Sequence, residues 1–344
     1  LTSPTGRMTT RHYKYSPPTR FGSRYRSDIS DSQNVTAYYS ASLTEIVLNP
    51  TFTEVDHLEF TVLSGPSFRV SAAQYVLATG GIENARLLLA SHAQIDEGVA
   101  NSSDAVGRYF MEHPHLYGSG GMTFPADGID LSMYERFLSS ISGIQVAGGL
   151  ALTPETHSAE GLIDSVATIG AGVDFDEPLE GLTPRGVDGM LRRADGRFRR
   201  LTLRAEQSPL ADSRVQLSTT EVDALGLPRT ELDWRVSQED RVAYARTLRI
   251  LSEELAASGL GRGYVPYGDD DTLDWSVLPG AHHMGTTRMG TNPERSVVDV
   301  DGKAHDLGNL YLAGSSVFPT GGSANPTLTI VALALRLADH LGAL

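Results

Sequence analysis

His282 and His283 open the segment His282-His283-Met284-Gly285-Thr286-Thr287-Arg288-Met289-Gly290, which follows Pro279 and is rich in Gly, Thr and Met. Such residues have little helix or strand preference, so the histidines are predicted to be presented from a loop. Imidazole takes up a proton near neutral pH, which suits a general base. Adjacent histidines can also bind metal. Neighbouring side chains point apart, however, and no carboxylate or third histidine stands at a ligand spacing, so the expectation is a base and no metal site. Glu112-His113-Pro114-His115 is the other histidine cluster. Pro114 extends the backbone and separates its rings, which favours packing over metal binding.

The second chemically suggestive segment runs from Gly314-Ser315-Ser316 to Asn325-Pro326-Thr327. Asn325 can cap a helix whose first turn holds Pro326, where no backbone N–H is needed. A helix that starts directly after a glycine-rich loop offers unpaired N–H groups and a positive dipole end. Thr327 then faces an anion or an electron-rich carbonyl. An ordinary capped core helix is the alternative; the histidine segment favours the ligand. A hydrolase would take Ser315 as nucleophile and His282 as base, but Gly314-Ser315-Ser316-Val317-Phe318 lacks the Gly-x-Ser-x-Gly elbow.

Several elements must position these groups. Residues 1–34 are polar and punctuated by Pro17, Pro18 and Gly22, which predicts loop with one short helix. Residues 35–48, 58–63 and 68–70 alternate and read as a small β-meander. A short apolar strand over 74–78 runs through Ala78, Thr79 and Gly80 into a helix over 83–91, an α/β crossover whose glycines allow close approach of a ligand. Taken alone, those residues are better read as an αβ corner without a ligand. Candidate strands over 144–152 and 166–173, a β-pair over 214–218 and 229–236, and a helix over 238–258 suggest an antiparallel sheet plus helices, inserted into the first region. A buried-type strand over 309–313 restores α/β character. The last helix carries Leu328, Val331, Ala332, Leu335 and Ala338 as an apolar stripe, widened by Ile330, Ala334, Leu337 and Leu341, and is predicted to be largely buried.

At 344 residues the chain exceeds one ordinary hydrophobic core, so two structural regions are expected. Its formal charge of −14 repels phosphate backbones and argues against a nucleic-acid partner. The basic cluster of Arg192, Arg193, Arg197, Arg199, Arg200 and Arg204 is interrupted by Asp195 and Glu206 and reads as a solvated face or a mobile loop. No apolar run approaches the length of a transmembrane segment. The absence of cysteine removes disulfides, thiolate nucleophiles and zinc–thiolate sites.

Together, residues 34–46 with 76–91, residues 106–113 and residues 279–341 resemble the glucose-methanol-choline (GMC) oxidoreductase family, most closely its pyranose-oxidase-like and sugar-dehydrogenase branch. The resemblance implies an FAD-dependent oxidoreductase acting on a CH–OH group of a sugar, glycoside or related alcohol. It places His282 at the family's His-x-x-Gly-Thr position, as the base that takes the alcohol proton while hydride passes to flavin N5. Asn325 falls where the family has His or Asn, as partner to the substrate oxygen; an amide donates a hydrogen bond but cannot serve as the base. The likeness further puts Val35 near the adenine, Ala78, Thr79 and Gly80 along the dinucleotide, and Gly314, Ser315, Pro326 and Thr327 against the ribityl chain and ring. The helix dipole would face the ring edge where charge develops on reduction.

The family's dinucleotide fingerprint is not found. Gly118-Ser119-Gly120-Gly121 does not replace it, because no strand and helix flank it in a βαβ unit. The expectation is therefore the C-terminal two thirds of such an enzyme, of mixed α/β (α+β) class. Residues 1–110 and 280–344 would form an incomplete FAD-binding α/β domain, and residues 111–279 a substrate domain built on an antiparallel sheet plus helices. The missing N-terminal segment would come from elsewhere, a separate chain or a cleaved precursor. A non-catalytic fragment or binding subunit unable to hold FAD alone is the main alternative, and a serine hydrolase a remote one.

Overall fold

The computed structural model describes residues 3–123, 130–140, 143–172, 198–259, 261–265 and 277–344. The chain divides into two compact units. One comprises Leu1–Ser32, His113–Glu206 and Ser237–Gly280; the other comprises Gln33–Glu112, Gln207–Val236 and Ala281–Leu344. Relative to the boundaries expected from sequence, residues 1–32 join the inserted region and residues 207–236 join the region of the histidine segment.

The first unit is built on an eight-stranded sheet, counted among the described residues. Its main path runs Met8–Tyr15, Gln145–Leu152, Ser165–Gly172, Phe198–Ala205, Pro114–Thr123 and Arg262–Tyr264, with every pair antiparallel. The first strand corrects the reading of residues 1–34 as loop with one helix. Met8-Thr9-Thr10-Arg11-His12-Tyr13-Lys14-Tyr15 pairs with Gln145–Leu152 in unbroken register, from Met8 opposite Leu152 to Tyr15 opposite Gln145. Its Thr and Tyr residues suit an edge strand, and its polar content hid it. Two short helices, Phe21–Arg24 and Arg26–Ser30, follow. Gly118 to Gly121 lie inside a strand, not at a phosphate-binding turn.

The helix Gln238–Ala257 starts where Ser237 accepts the Asp240 N–H at 2.9 Å. Tyr244, Leu248, Leu251 and Leu255, at helical spacing, are its buried face. Of the basic cluster, Arg192, Arg193 and Arg197 lie outside the described residues. Arg204 donates to Thr168 Oγ1 at 2.8 Å.

The second unit holds three small sheets. Ala41–Leu48, Val55–Val62 and Ser67–Val70 form the expected meander. Its first strand begins six residues after Val35, which stays in an exposed stretch. Arg214–Val222 and Pro228–Asp233 form the β-pair. Tyr75–Leu77 and Leu310–Leu312 form a parallel pair, with Tyr75 opposite Leu310 and Leu77 opposite Leu312. Ile46, Leu77, Leu88, Phe110, Met284 and Leu312 belong to one buried cluster that ties these sheets to the helix Glu83–Ala90.

The last helix, Thr327–Gly342, departs from expectation. Ile330, Leu333 and Leu337, spaced i, i+3 and i+7, face the core. The stripe read from sequence points the other way: Leu328 is 82% exposed, Leu335 64%, and Val331 is exposed as well. An apolar helix has two faces that could be buried, and within this unit only one finds a partner.

Candidate active site

Four segments of the second unit converge, and hydrogen bonds define their meeting. The histidine segment lies alongside the short 3₁₀ turn Ser315–Val317, through Gly285 N–H to Ser315 O at 3.1 Å, Thr287 N–H to Ser316 O at 2.9 Å and Met289 N–H to Val317 O at 2.8 Å. Ser315 Oγ adds a bond to the His283 carbonyl at 2.6 Å. Thr287 Oγ1 donates to Ser316 Oγ at 2.8 Å. The two chemically suggestive segments are thus one structural element.

The glycine turn after Tyr75–Leu77 joins this element from the side. Thr286 Oγ1 donates to the Gly81 carbonyl. A Cβ on Gly81 would lie 2.3 Å from the His283 carbonyl oxygen, so only glycine fits there. Asn84, fully buried at the first turn of the next helix, ties both strands of the parallel pair together. Its Oδ1 accepts from Thr79 N–H at 2.8 Å and Thr79 Oγ1 at 2.6 Å. Its Nδ2 donates to Ala313 O at 3.0 Å and Ser316 Oγ at 2.8 Å.

Residues 106–112 are the fourth segment. Gly107 N–H reaches Thr286 O at 2.8 Å, and Met111 and Met284 exchange two backbone bonds of 2.9 and 3.0 Å. Gly285, at φ +87°, packs so closely that a Cβ would meet the Tyr109 carbonyl oxygen at 2.3 Å. The Arg288 guanidinium lies 4.4 Å from the centroid of the Tyr109 ring. The conformation and the spacing together explain the glycine of His-x-x-Gly-Thr.

His282 sits at the start of this element, half-buried, directly after Ala281, whose φ of +58° is unusual for a residue with a side chain. Its N–H donates to Glu112 Oε2 at 2.8 Å. His283 is also half-buried; its ring packs 5.8 Å from that of Phe110. Asn325 is exposed at the start of the last helix and makes no hydrogen bond among the described residues, so the expected side-chain cap is not formed. The first helical bond instead runs from Ile330 N–H to the Pro326 carbonyl at 2.9 Å. Pro326 takes helical angles, which displaces the cap position from Asn325.

Ser315, named in the hydrolase reading, donates its hydroxyl to a backbone carbonyl and not to an imidazole. That leaves the Ser315–His282 pairing without geometric support. Gly80 and Gly314 stand just beyond the carboxyl ends of the two parallel strands, at φ +101° and +97°, and a Cβ on either would meet nothing within 4 Å. Ala78 and Thr79 are exposed beside Gly80, and Thr327 is exposed at the helix start. Glu112 and Asn84, which organise the site, were not among the residues singled out from sequence. Glu112 lay in a stretch covered by the resemblance, but its cluster read as packing. Asn84 had no signal beyond its place in the first turn after two glycines.

Residues 209–334 match the GMC oxidoreductase family model. Over 285 residues the chain is 31% identical to the fructose dehydrogenase large subunit of Gluconobacter japonicus, covering 80% of this chain and 48% of that protein. It is 32% identical over 296 residues to the 6'''-hydroxyparomomycin C oxidase of Streptomyces lividus, covering 81% and 47%. The fold is similar to that of pyridoxine 4-oxidase from Mesorbium loti, with a TM-score of 0.61 at 20% identity, over 91% of this chain and 59% of that one. The stretch of residues 209–334 belongs to the GMC oxidoreductase family. The chain spans about half the length of the curated relatives it matches.

Proposed function

We propose that this chain carries the catalytic half of an FAD-dependent oxidoreductase that oxidises a CH–OH group of a sugar, glycoside or related alcohol. The observation that carries the reading is the joining of the histidine segment, the glycine turn and the Ser315–Val317 turn at the carboxyl ends of a parallel strand pair. In open α/β sheets ligands bind outside those ends. The fit to a dinucleotide rests on Gly80 and Gly314, whose left-handed backbones face open space that any side chain would occupy. FAD, when bound, supplies the hydride acceptor. Ala78, Thr79, Gly80, Gly314 and Ser315 would line its path, Pro326 and the N–H groups of the helix start from Thr327 on would face the ring, and Val35 would lie towards the adenine.

His282 would take the alcohol proton onto its imidazole as the carbon–hydrogen bond breaks. Asn325, with an exposed amide and no internal partner among the described residues, would donate to the substrate oxygen as negative charge grows there. The relatives, a fructose dehydrogenase large subunit and a 6'''-hydroxyparomomycin C oxidase, support a polyhydroxylated substrate. Substitution of His282 by Ala in the full-length protein should abolish alcohol-dependent bleaching of the flavin absorbance. Near wild-type bleaching would sink the assignment.

The second unit also exposes what an upstream segment would cover. Parallel sheets ordinarily bury both faces, yet Val76 of the two-stranded pair is 44% exposed, and Leu328, Val331 and Leu335 form a bare apolar stripe. A further segment, in the same polypeptide or in a separate chain, would extend this sheet and supply the phosphate-binding turn. Charged residues at Leu328 and Leu335 should leave the stability of this chain unchanged and block FAD retention by the assembled enzyme. Retention of the yellow chromophore by that variant would count against this surface.

A further inference from the structure

The geometry points to Glu112 as the residue that positions the histidine loop, an inference that rests on His282 being the base. Glu112 is 1% exposed. A buried carboxylate is costly unless its oxygens are paired, so the partners it meets are held firmly. Here they include two consecutive residues. Oε2 accepts the His282 N–H at 2.8 Å; Oε1 makes no hydrogen bond among the described residues but lies 3.3 Å from His283 Nε2, within ion-pair range of a protonated imidazole. One carboxylate therefore meets His282 through its main chain and His283 through its ring.

The shelf beneath Glu112 is rigid. Its own N–H is taken by Gln207 Oε1 at 3.2 Å. Gln207 is fixed in turn by Trp234 Nε1 at 2.8 Å and by its donation to the Arg235 carbonyl at 2.7 Å. The neighbouring Met111 exchanges both backbone bonds with Met284. Above the shelf the chain enters the loop through Ala281 at φ +58°, a conformation that costs free energy and persists only where surrounding contacts enforce it. The charged hydrogen bond at the next residue is such a contact. Glu112 thus sets the direction in which the backbone delivers His282, while the His283 ring stands within ion-pair range of its other oxygen. The two histidines have different roles. His282 acts on substrate, and His283 serves the carboxylate that places it.

Two readouts test this in the full-length enzyme. Amide hydrogen exchange at His282 reads the bond directly, and flavin reduction by alcohol reads its consequence. Glu112→Leu removes the acceptor and should speed exchange at His282 by about 10- to 100-fold, the range for a lost hydrogen bond to a charged group. Displacing the base by about 1 Å should lower kcat on the order of 100-fold. KM should change far less. Glu112→Gln keeps an oxygen acceptor and should recover most of both losses, a rescue that simple loss of packing would not give.

Should Glu112→Leu fail to fold, Glu112→Asp, which withdraws the carboxylate by one methylene, is expected to speed the same exchange. Wild-type exchange and kcat in the folded variants would overturn the proposal. His282→Ala, run in parallel, separates the two ideas. Full activity there defeats the base assignment but not the exchange result, whereas inactivity there with unperturbed Glu112 variants defeats only the positioning role.

Discussion

Asn84→Ala offers a stringent trial of the hydrogen-bonded joint beneath the site. The Asn84 side chain makes four bonds, but they are not equal. Thr79, which donates two of them, is exposed, so water can replace Asn84 there at almost no cost. Ser316 is fully buried and the Ala313 carbonyl lies at the protected strand end, so the two bonds donated by Nδ2 have no ready substitute. Ser316 Oγ retains Thr287 as a donor, which limits the loss on that side. At about 1–1.5 kcal/mol for each internal bond, the expected destabilisation is about 2–3 kcal/mol. Thr79→Ala should cost under about 0.5 kcal/mol, because the Thr79 N–H, untouched by the substitution, still donates to Asn84 Oδ1. Asn84→Asp should be at least as harmful as Ala, since it keeps the Thr79 bonds but loses both donors and buries a charge. Urea denaturation of the three variants, with the slope against denaturant checked for constancy, measures the series. If Asn84→Ala costs less than about 1 kcal/mol, or Thr79→Ala costs as much, the joint does not work as described.

Three other outcomes follow from the same structure. Gly285→Ala combines a φ of +87° with a Cβ placed 2.3 Å from a backbone carbonyl oxygen, whereas Gly322→Ala has φ +62° and open space. The first should impair folding, and the second should cost about 1–2 kcal/mol, as thermal melts would show. Burial raises the Asp223 carboxyl, but the Arg86 guanidinium and the Leu225 and Leu227 N–H groups outweigh it, leaving Asp223 below its ordinary value of 3.8. Its stabilisation is therefore full above the unfolded value and lost as pH falls through the depressed folded value. Arg86→Met should flatten that part of the acid limb in a denaturation series. At Glu254, likewise, burial raises the carboxyl and bonds from Ser3, Thr5 and Arg7 bring it lower overall. Arg7→Met should lower protection of Gln238–Ala257 near neutral pH and flatten its fall as pH drops, as hydrogen exchange would show.

Much of the fold was legible because the signals are local. The strand before Gly80 and the helix after it, the β-meander, the β-pair and the helix that follows it each follow from alternation, turn residues or helical periodicity within a few residues. The edge strand Met8–Tyr15 was not legible, since its polar side chains satisfy the pattern of a loop as well as that of a strand. Its partner, Gln145–Leu152, lies far along the chain, beyond the reach of any local signal. Nor could periodicity decide which face of the last helix is buried. Leu328, Val331 and Leu335 form one acceptable stripe and Ile330, Leu333 and Leu337 another; only the position of the core selects between them.

The site divides in the same way. By itself the sequence determined that a histidine opens a glycine-threonine segment, that a second glycine-rich segment precedes a helix, and that both resemble parts of one family. Tertiary structure alone decided that the two segments lie side by side, that Gly81 and Gly285 are required by carbonyl oxygens pressed against them, and that Glu112 reaches both histidines from 170 residues upstream. The reason is physical. A residue's type is written in the chain, but the cost of burying a carboxylate or an amide depends on which partners the fold brings within hydrogen-bond reach.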